Sequence, residues 1–100
     1  MKLMIDLNSF YSAGDERRFF EGLGDNPAVS GYRGIAHQLQ VSIVQKHLNH
    51  NTLRELIALF YRYQIPMAPL APLAENKRFA WLADERWYWH QSMITQGDAG

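Results

Sequence analysis

Cysteine is absent from this chain. Disulfide staples, iron–sulfur clusters, thiolate zinc sites and cysteine nucleophiles are therefore excluded. An excess of one charge is missing too: ten Lys and Arg stand against ten Asp and Glu, five of each sign in either half. Such a balance gives neither the basic footprint of a nucleic-acid binder nor an acidic tail. No apolar run approaches the roughly 20 residues of a membrane span. Asp6 interrupts the opening apolar stretch too early for a signal-peptide core, and no small-residue cleavage site follows. A cytoplasmic protein without membrane association is expected. Nucleotide and hydrolase signatures are also lacking, since neither Gly-Lys-Ser/Thr nor Gly-x-Ser-x-Gly occurs. Adjoining acids occur as Asp15-Glu16 and Asp84-Glu85, and neighbours on a helix point apart. No cofactor and no catalytic residue follow from the sequence.

What is present is globular: 47% hydrophobic and 20% charged residues in 100, which fits one domain spanning 1–100. The expected fold class is mostly α, a small helical bundle built on an antiparallel helical hairpin. The N-terminal helical segment covers 1–23. Asn8-Ser9 offers one cap there, and Gly14-Asp15-Glu16 offers a second start with acids in its first turn. Leu3 to Leu7 reads alternatively as a short strand. The glycines of 22–34, with Asn26-Pro27, read as a loop.

Over 35–48, Ile35, Ala36, Leu39 and Ile43 fall on one side of a helix, with Val41, Val44 and Leu48 opposite. Two apolar stripes predict a helix packed between layers, or one using its second stripe on a partner. The second helix of the hairpin is placed at 52–63. Thr52 and Glu55 would form its capping box, and Leu53, Leu56, Ile57, Phe60 and Tyr63 its buried face. In 65–74, Pro66, Pro69 and Pro72 recur every third residue, as do Met67, Leu70 and Leu73. A three-residue period is that of polyproline II, so this stretch is expected to be a stiff Pro-rich connector.

The segment 77–94 carries three tryptophans. Read as a helix, it places Phe79, Leu82, Trp89 and Met93 on one stripe with Ala83 and Ile94. Arg86 and His90 then lie within that stripe, and Trp81 and Tyr88 lie on the other side. Arg86 would need a carboxylate, with Asp15, Glu16 and Glu21 as candidates, or a cation–π stack on Trp87 or Trp89. The alternative is an α+β fold in which this segment is a C-terminal aromatic hairpin.

Trp, Tyr and Arg dominate interface energetics, so Trp81, Arg86, Tyr88 and His90 are the candidate partner-binding residues. The expected function is a non-enzymatic protein–protein interaction domain: a small regulator, inhibitor or neutralising protein occupying another protein's surface. Three rival readings have their own residues. A self-associating domain, a homodimer, would use the second stripe of 35–48. A small metal-binding protein or enzyme would use His47, His50 or His90. A helix-turn-helix-like nucleic-acid binder would use the hairpin, where Arg33, Lys46, Arg54 and Arg62 face only Glu55. Nucleic acid is not expected, because the second helix offers few polar side chains to reach bases.

Overall fold

Gln38-Leu39-Gln40-Val41-Ser42-Ile43 alternates polar and apolar side chains, the period of a half-buried strand. In a computed structural model, which describes residues 1–7, 9–84, 86–90 and 93, this stretch is the central strand of a three-stranded antiparallel sheet. The elements are β1 (Lys2–Asp6), α1 (Ala13–Asp25), β2 (Val29–Ile35), β3 (Gln38–Ile43) and α2 (His50–Arg62). Short 3₁₀ segments follow β3 at Gln45–His47 and follow α2 at Ala68–Glu75 and Lys77–Ala83. The strand order is β1-β3-β2, and β3 pairs antiparallel with both neighbours. β1 and β2 therefore run parallel with β3 between them, a split βαβ unit closed by a hairpin.

The fold is α+β, not the helical bundle expected above. There is no helix at 35–48: that stretch closes β2, turns, forms β3 and enters a 3₁₀ turn. The two opposed helical stripes were a strand alternation viewed at the wrong period. Leu39, Val41 and Ile43 are buried and the residues between them are not. The glycine-rich loop at 22–34 is corrected too. α1 runs through Gly22 and Gly24, and Gly31 and Gly34 lie within edge strand β2, where the ladder to β3 outweighs their low strand propensity. The helix expected over 1–23 is replaced at its start by the alternative strand, which spans Lys2–Asp6 and pairs with β3, Leu3 opposite Val41 and Ile5 opposite Leu39.

One face of the sheet joins the helices in a single core. Leu3, Ile5, Leu39, Val41 and Ile43 cluster with Phe19 and Leu23 of α1 and with Leu53, Leu56, Ile57 and Phe60 of α2. Full burial of each such side chain contributes about 1.5–3 kcal/mol. The opposite face carries Lys2, Asp6, Arg33, Gln38, Gln40 and Ser42, none of them buried. α1 starts at Ser12, whose hydroxyl accepts from the Asp15 N–H, with Asp15 and Glu16 in the first turn. A Cβ on Gly22 would lie 3.0 Å from Leu59 Cδ1, so a glycine there lets α1 approach α2 closely.

α2 begins two residues earlier than expected. Its cap is Asn49, whose side chain accepts from the Thr52 N–H while the Thr52 hydroxyl accepts from the Asn49 N–H. Thr52 is thus the third residue of a capping box rather than its first, and Glu55 takes no part in it. The expected buried face of α2 is otherwise present, with Tyr63 half-buried.

The Pro-rich connector is a 3₁₀ helix rather than polyproline II. Both conformations have three residues per turn and both accept the fixed φ of proline, so the sequence period fits either. Met67, Leu70 and Leu73 are buried along one edge, and the same step reaches Phe79 and Leu82. The segment expected as a helix over 77–94 is a 3₁₀ helix to Ala83, then turn and bend residues at 86–89 and helical residues at 90 and 93, with no strand among its described residues. Phe79, Leu82, Trp89 and Met93 are nonetheless all buried, whereas Ala83, expected beside them, is exposed because the chain leaves the 3₁₀ helix there. The Asn8 cap, Ile94 and the expected frayed end at 95–100 lie outside the described residues.

Ile35 pairs with Gln38, so Ala36-His37 is a two-residue hairpin turn, and Ala36 has φ 55°. A side chain is disfavoured there and glycine is not. Ala36→Gly is expected to stabilise the domain by about 1 kcal/mol. The check is urea unfolding: the midpoint should rise at unchanged slope, and a fall would contradict the strained turn.

Candidate functional site

Helical geometry puts His50, Arg54 and Tyr61 on one outward stripe of α2, at spacings of four and seven. The C-terminal segment lies against this stripe and meets it three times. The His50 ring sits 4.4 Å from the Trp81 ring, the Arg54 guanidinium 4.8 Å above the Trp87 ring, and the Tyr61 ring 4.7 Å from Tyr88 in an edge contact. A second layer holds these rings in place. Trp89 is completely buried, stacks on Trp87 at 4.7 Å and 10°, and touches Trp81 and Tyr88 edge-on. Its indole Nε1 donates to the Leu82 carbonyl at 3.0 Å. Trp87 is thus held between a guanidinium and a second indole.

The face stays open to solvent. Tyr61 is 53% exposed and Tyr88 47% exposed. Trp81 and Trp87 are half-buried, while His50, Arg54 and Arg86 are exposed. The apolar surroundings push the Tyr88 phenol above its ordinary pKa, although Arg54 draws it back.

Of the four candidate residues, Trp81 and Tyr88 both lie on this face, joined through Trp89. Arg86 does not lie at the centre of an apolar stripe. It is exposed and forms a two-pronged pair with Asp84, Nε to Oδ1 at 3.0 Å and Nη2 to Oδ2 at 2.6 Å, rather than reaching Asp15, Glu16 or Glu21. Those bonds hold the Asp84 carboxyl down at about 2. So exposed a pair adds little stability but does orient the turn before Trp87. The cation stacked on Trp87 is Arg54, not Arg86. His90 is half-buried and follows Trp89. Of the α2 residues, Tyr61 was missed as a site residue, His50 was read only as a metal or acid–base candidate, and Arg54 only as part of a nucleic-acid surface. His50 joins their stripe only because α2 starts at His50 rather than Thr52, and nothing in the sequence says which segment lies against it.

His47 has its Nδ1 3.2 Å from the Pro27 carbonyl oxygen, and His50 is stacked on Trp81. Among the described residues, no group of three or more His, Asp or Glu could hold a metal ion. A groove of about 290 Å³ between α1 and α2 is lined by Asp25, Asn51, Thr52, Glu55 and Arg62, and the Thr52 hydroxyl there is engaged in the α2 cap. Among the described residues, no helix is long and apolar enough to cross a membrane.

The fold and this face define a small α+β domain with an aromatic and cationic surface built across one helix and the segment after it. Comparison with protein-family models, with curated proteins and with solved structures gives no match for the chain.

Trp87 Nε1 is buried and lacks a hydrogen-bond partner among the described residues. Such a donor costs about 1–3 kcal/mol. Trp87→Phe keeps a ring beneath Arg54 and removes the orphan, so stability should be unchanged or slightly higher. Trp89→Phe removes a satisfied donor and should cost about 1–2 kcal/mol. Urea unfolding of the pair checks the contrast, and the reverse order would show that Trp87 Nε1 is satisfied in solution.

Proposed function

We propose that this chain is a non-enzymatic interaction protein, a small regulator, inhibitor or neutralising protein that works by covering a surface of another protein. The observation that carries the reading is the face around Tyr61 and Tyr88, where two half-exposed tyrosines adjoin an arginine laid on a tryptophan. Trp, Tyr and Arg are the residues that concentrate binding energy in interfaces. Here they are also rigidly backed by Trp89, so little ordering entropy remains to be lost on binding. A cytoplasmic location belongs to the same proposal.

Two rival readings lose part of what motivated them. Of the stripe assigned to self-association, Val41 is buried in β3, Leu48 is buried beyond it and Val44 is half-buried, and the first helix of a helix-turn-helix is absent from 35–48.

The test is site-specific photo-crosslinking in the native host. A photoreactive phenylalanine analogue replaces Tyr61, Tyr88 or, as control, the exposed Tyr32 on β2. One discrete adduct from positions 61 and 88 but not from 32 is expected. An adduct of twice the chain mass would make the partner a second copy. The same pattern from all three positions, or none from 61 and 88, would sink the proposal.

A further inference from the structure

We infer that the partner segment seated on this face is acidic: a stretch of another protein whose Asp or Glu carboxylate docks on Arg54 beside the Tyr61–Tyr88 pair. This rests on the interaction reading above and adds the chemistry of the partner. Among the described residues, Arg17, Arg18 and Arg86 each have a carboxylate in ion-pair range, whereas Arg33, Arg54, Arg62 and Arg78 have none, and of these four Arg54 is the one laid on a ring of this face. Arg54 is exposed, yet its guanidinium is fixed over Trp87 at 4.8 Å. A stacked guanidinium keeps its edge N–H donors free and in one orientation, the arrangement that suits a carboxylate. Exposed Glu55 follows Arg54 in sequence and points about 100° around the helix from it, whereas no acid lies on Arg54's own stripe: His50 stands one turn before it and Tyr61, in contact with Tyr88, two turns after it. The nearby Asp84 is already paired with Arg86 and does not compete.

Phosphate is the other ligand a guanidinium suits, but nucleic acid fits this face less well. Tight binding to a polyanion needs several phosphate contacts, and Arg86 is neutralised. The rings that would stack on bases are paired with one another.

The experiment pans a displayed library of short random peptides against the full chain, with a Tyr61→Ala/Tyr88→Ala bait in parallel. Enriched peptides should carry Asp or Glu beside an apolar residue. Their affinity should fall about tenfold or more with Arg54→Gln and by less with Arg54→Lys, which keeps charge without the fork. Arg54→Glu should regain binding to the same peptides with Lys in place of the acid. All variants are checked for an unchanged circular dichroism spectrum, and Arg54 is exposed enough for the fold to survive its loss. Enriched peptides without an acid, or unaffected by Arg54→Gln, would overturn the acidic inference and leave the interaction reading standing. Failure to enrich any peptide over the Tyr61→Ala/Tyr88→Ala bait would overturn both. Oligothymidylate serves as a second probe, and its capture by wild type but not by Arg54→Gln would overturn the inference in favour of nucleic acid.

Discussion

Trp89→Ala is expected to cost about 3–5 kcal/mol, the largest loss of any single truncation in the C-terminal segment. The indole is wholly buried and contacts three other rings: Trp81 at 5.9 Å, Trp87 at 4.7 Å and Tyr88 at 4.9 Å. It also supplies the hydrogen bond that ties the last turns back to Leu82. Alanine removes that apolar volume and leaves a cavity beneath the interaction face. Domains of this size have only about 5–15 kcal/mol in hand, so much of the total is at stake. Urea unfolding followed by far-ultraviolet circular dichroism gives the loss without relying on the tryptophan removed. Near-ultraviolet circular dichroism should show the coupled tryptophan signals collapsing in the folded variant. A loss below about 1 kcal/mol would mean that Trp89 is not a core residue in solution.

The second large effect is expected from a polar residue. Asn26 follows α1, is 7% exposed, and bonds in two directions. Its Nδ2 donates to the Thr52 carbonyl in the first turn of α2, and its Oδ1 accepts from the Ala28 N–H ahead of β2, both at 2.9 Å. One side chain thereby fastens the end of α1, the start of β2 and the start of α2. Asn26→Ala leaves the Ala28 N–H without its partner in a buried place and strips a second bond from Thr52. A buried donor left unpaired costs about 1–3 kcal/mol, and the lost second bond adds about 1 kcal/mol. Asn76→Ala is the control. Asn76 is exposed and accepts from the Arg78 N–H, so its loss should cost under about 1 kcal/mol. Thermal or urea unfolding of the two variants separates them, and equal costs would remove Asn26 from its bridging role.

Asn26 also shows where sequence reading stops. Asn-Pro marks a turn in any chain, and a turn is there. That the side chain is buried and bridges two helices depends on residue 52 arriving beside it, which no local pattern announces. The same holds for the site. Trp81 and Tyr88 were legible as aromatic surplus beyond what one helical stripe could bury. Arg54 was legible only as one of the basic residues of the expected hairpin, and became a site residue when Trp87 came to lie beneath it.

The sequence by itself determined which side chains are buried in the second half of the chain. Leu53, Leu56, Ile57 and Phe60 follow a 3.6-residue period, Met67, Leu70 and Leu73 a period of three, and all are buried. Burial follows from hydrophobic spacing, and spacing is local. Tertiary structure decided what that spacing could not distinguish. Residues 35–48 carry apolar side chains that satisfy a helix or a strand. They became β2, β3 and the turn between them because β1, more than thirty residues away in sequence, supplies an edge for Leu39 and Val41 to pair against. A strand's hydrogen bonds lie between segments, whereas a helix satisfies its own. The period of three in the Pro-rich segment was likewise neutral between an extended and a 3₁₀ backbone. The core chose the shorter rise per residue, which carries Met67, Leu70 and Leu73 onto one buried edge and leads the chain into the 3₁₀ turn before the tryptophans.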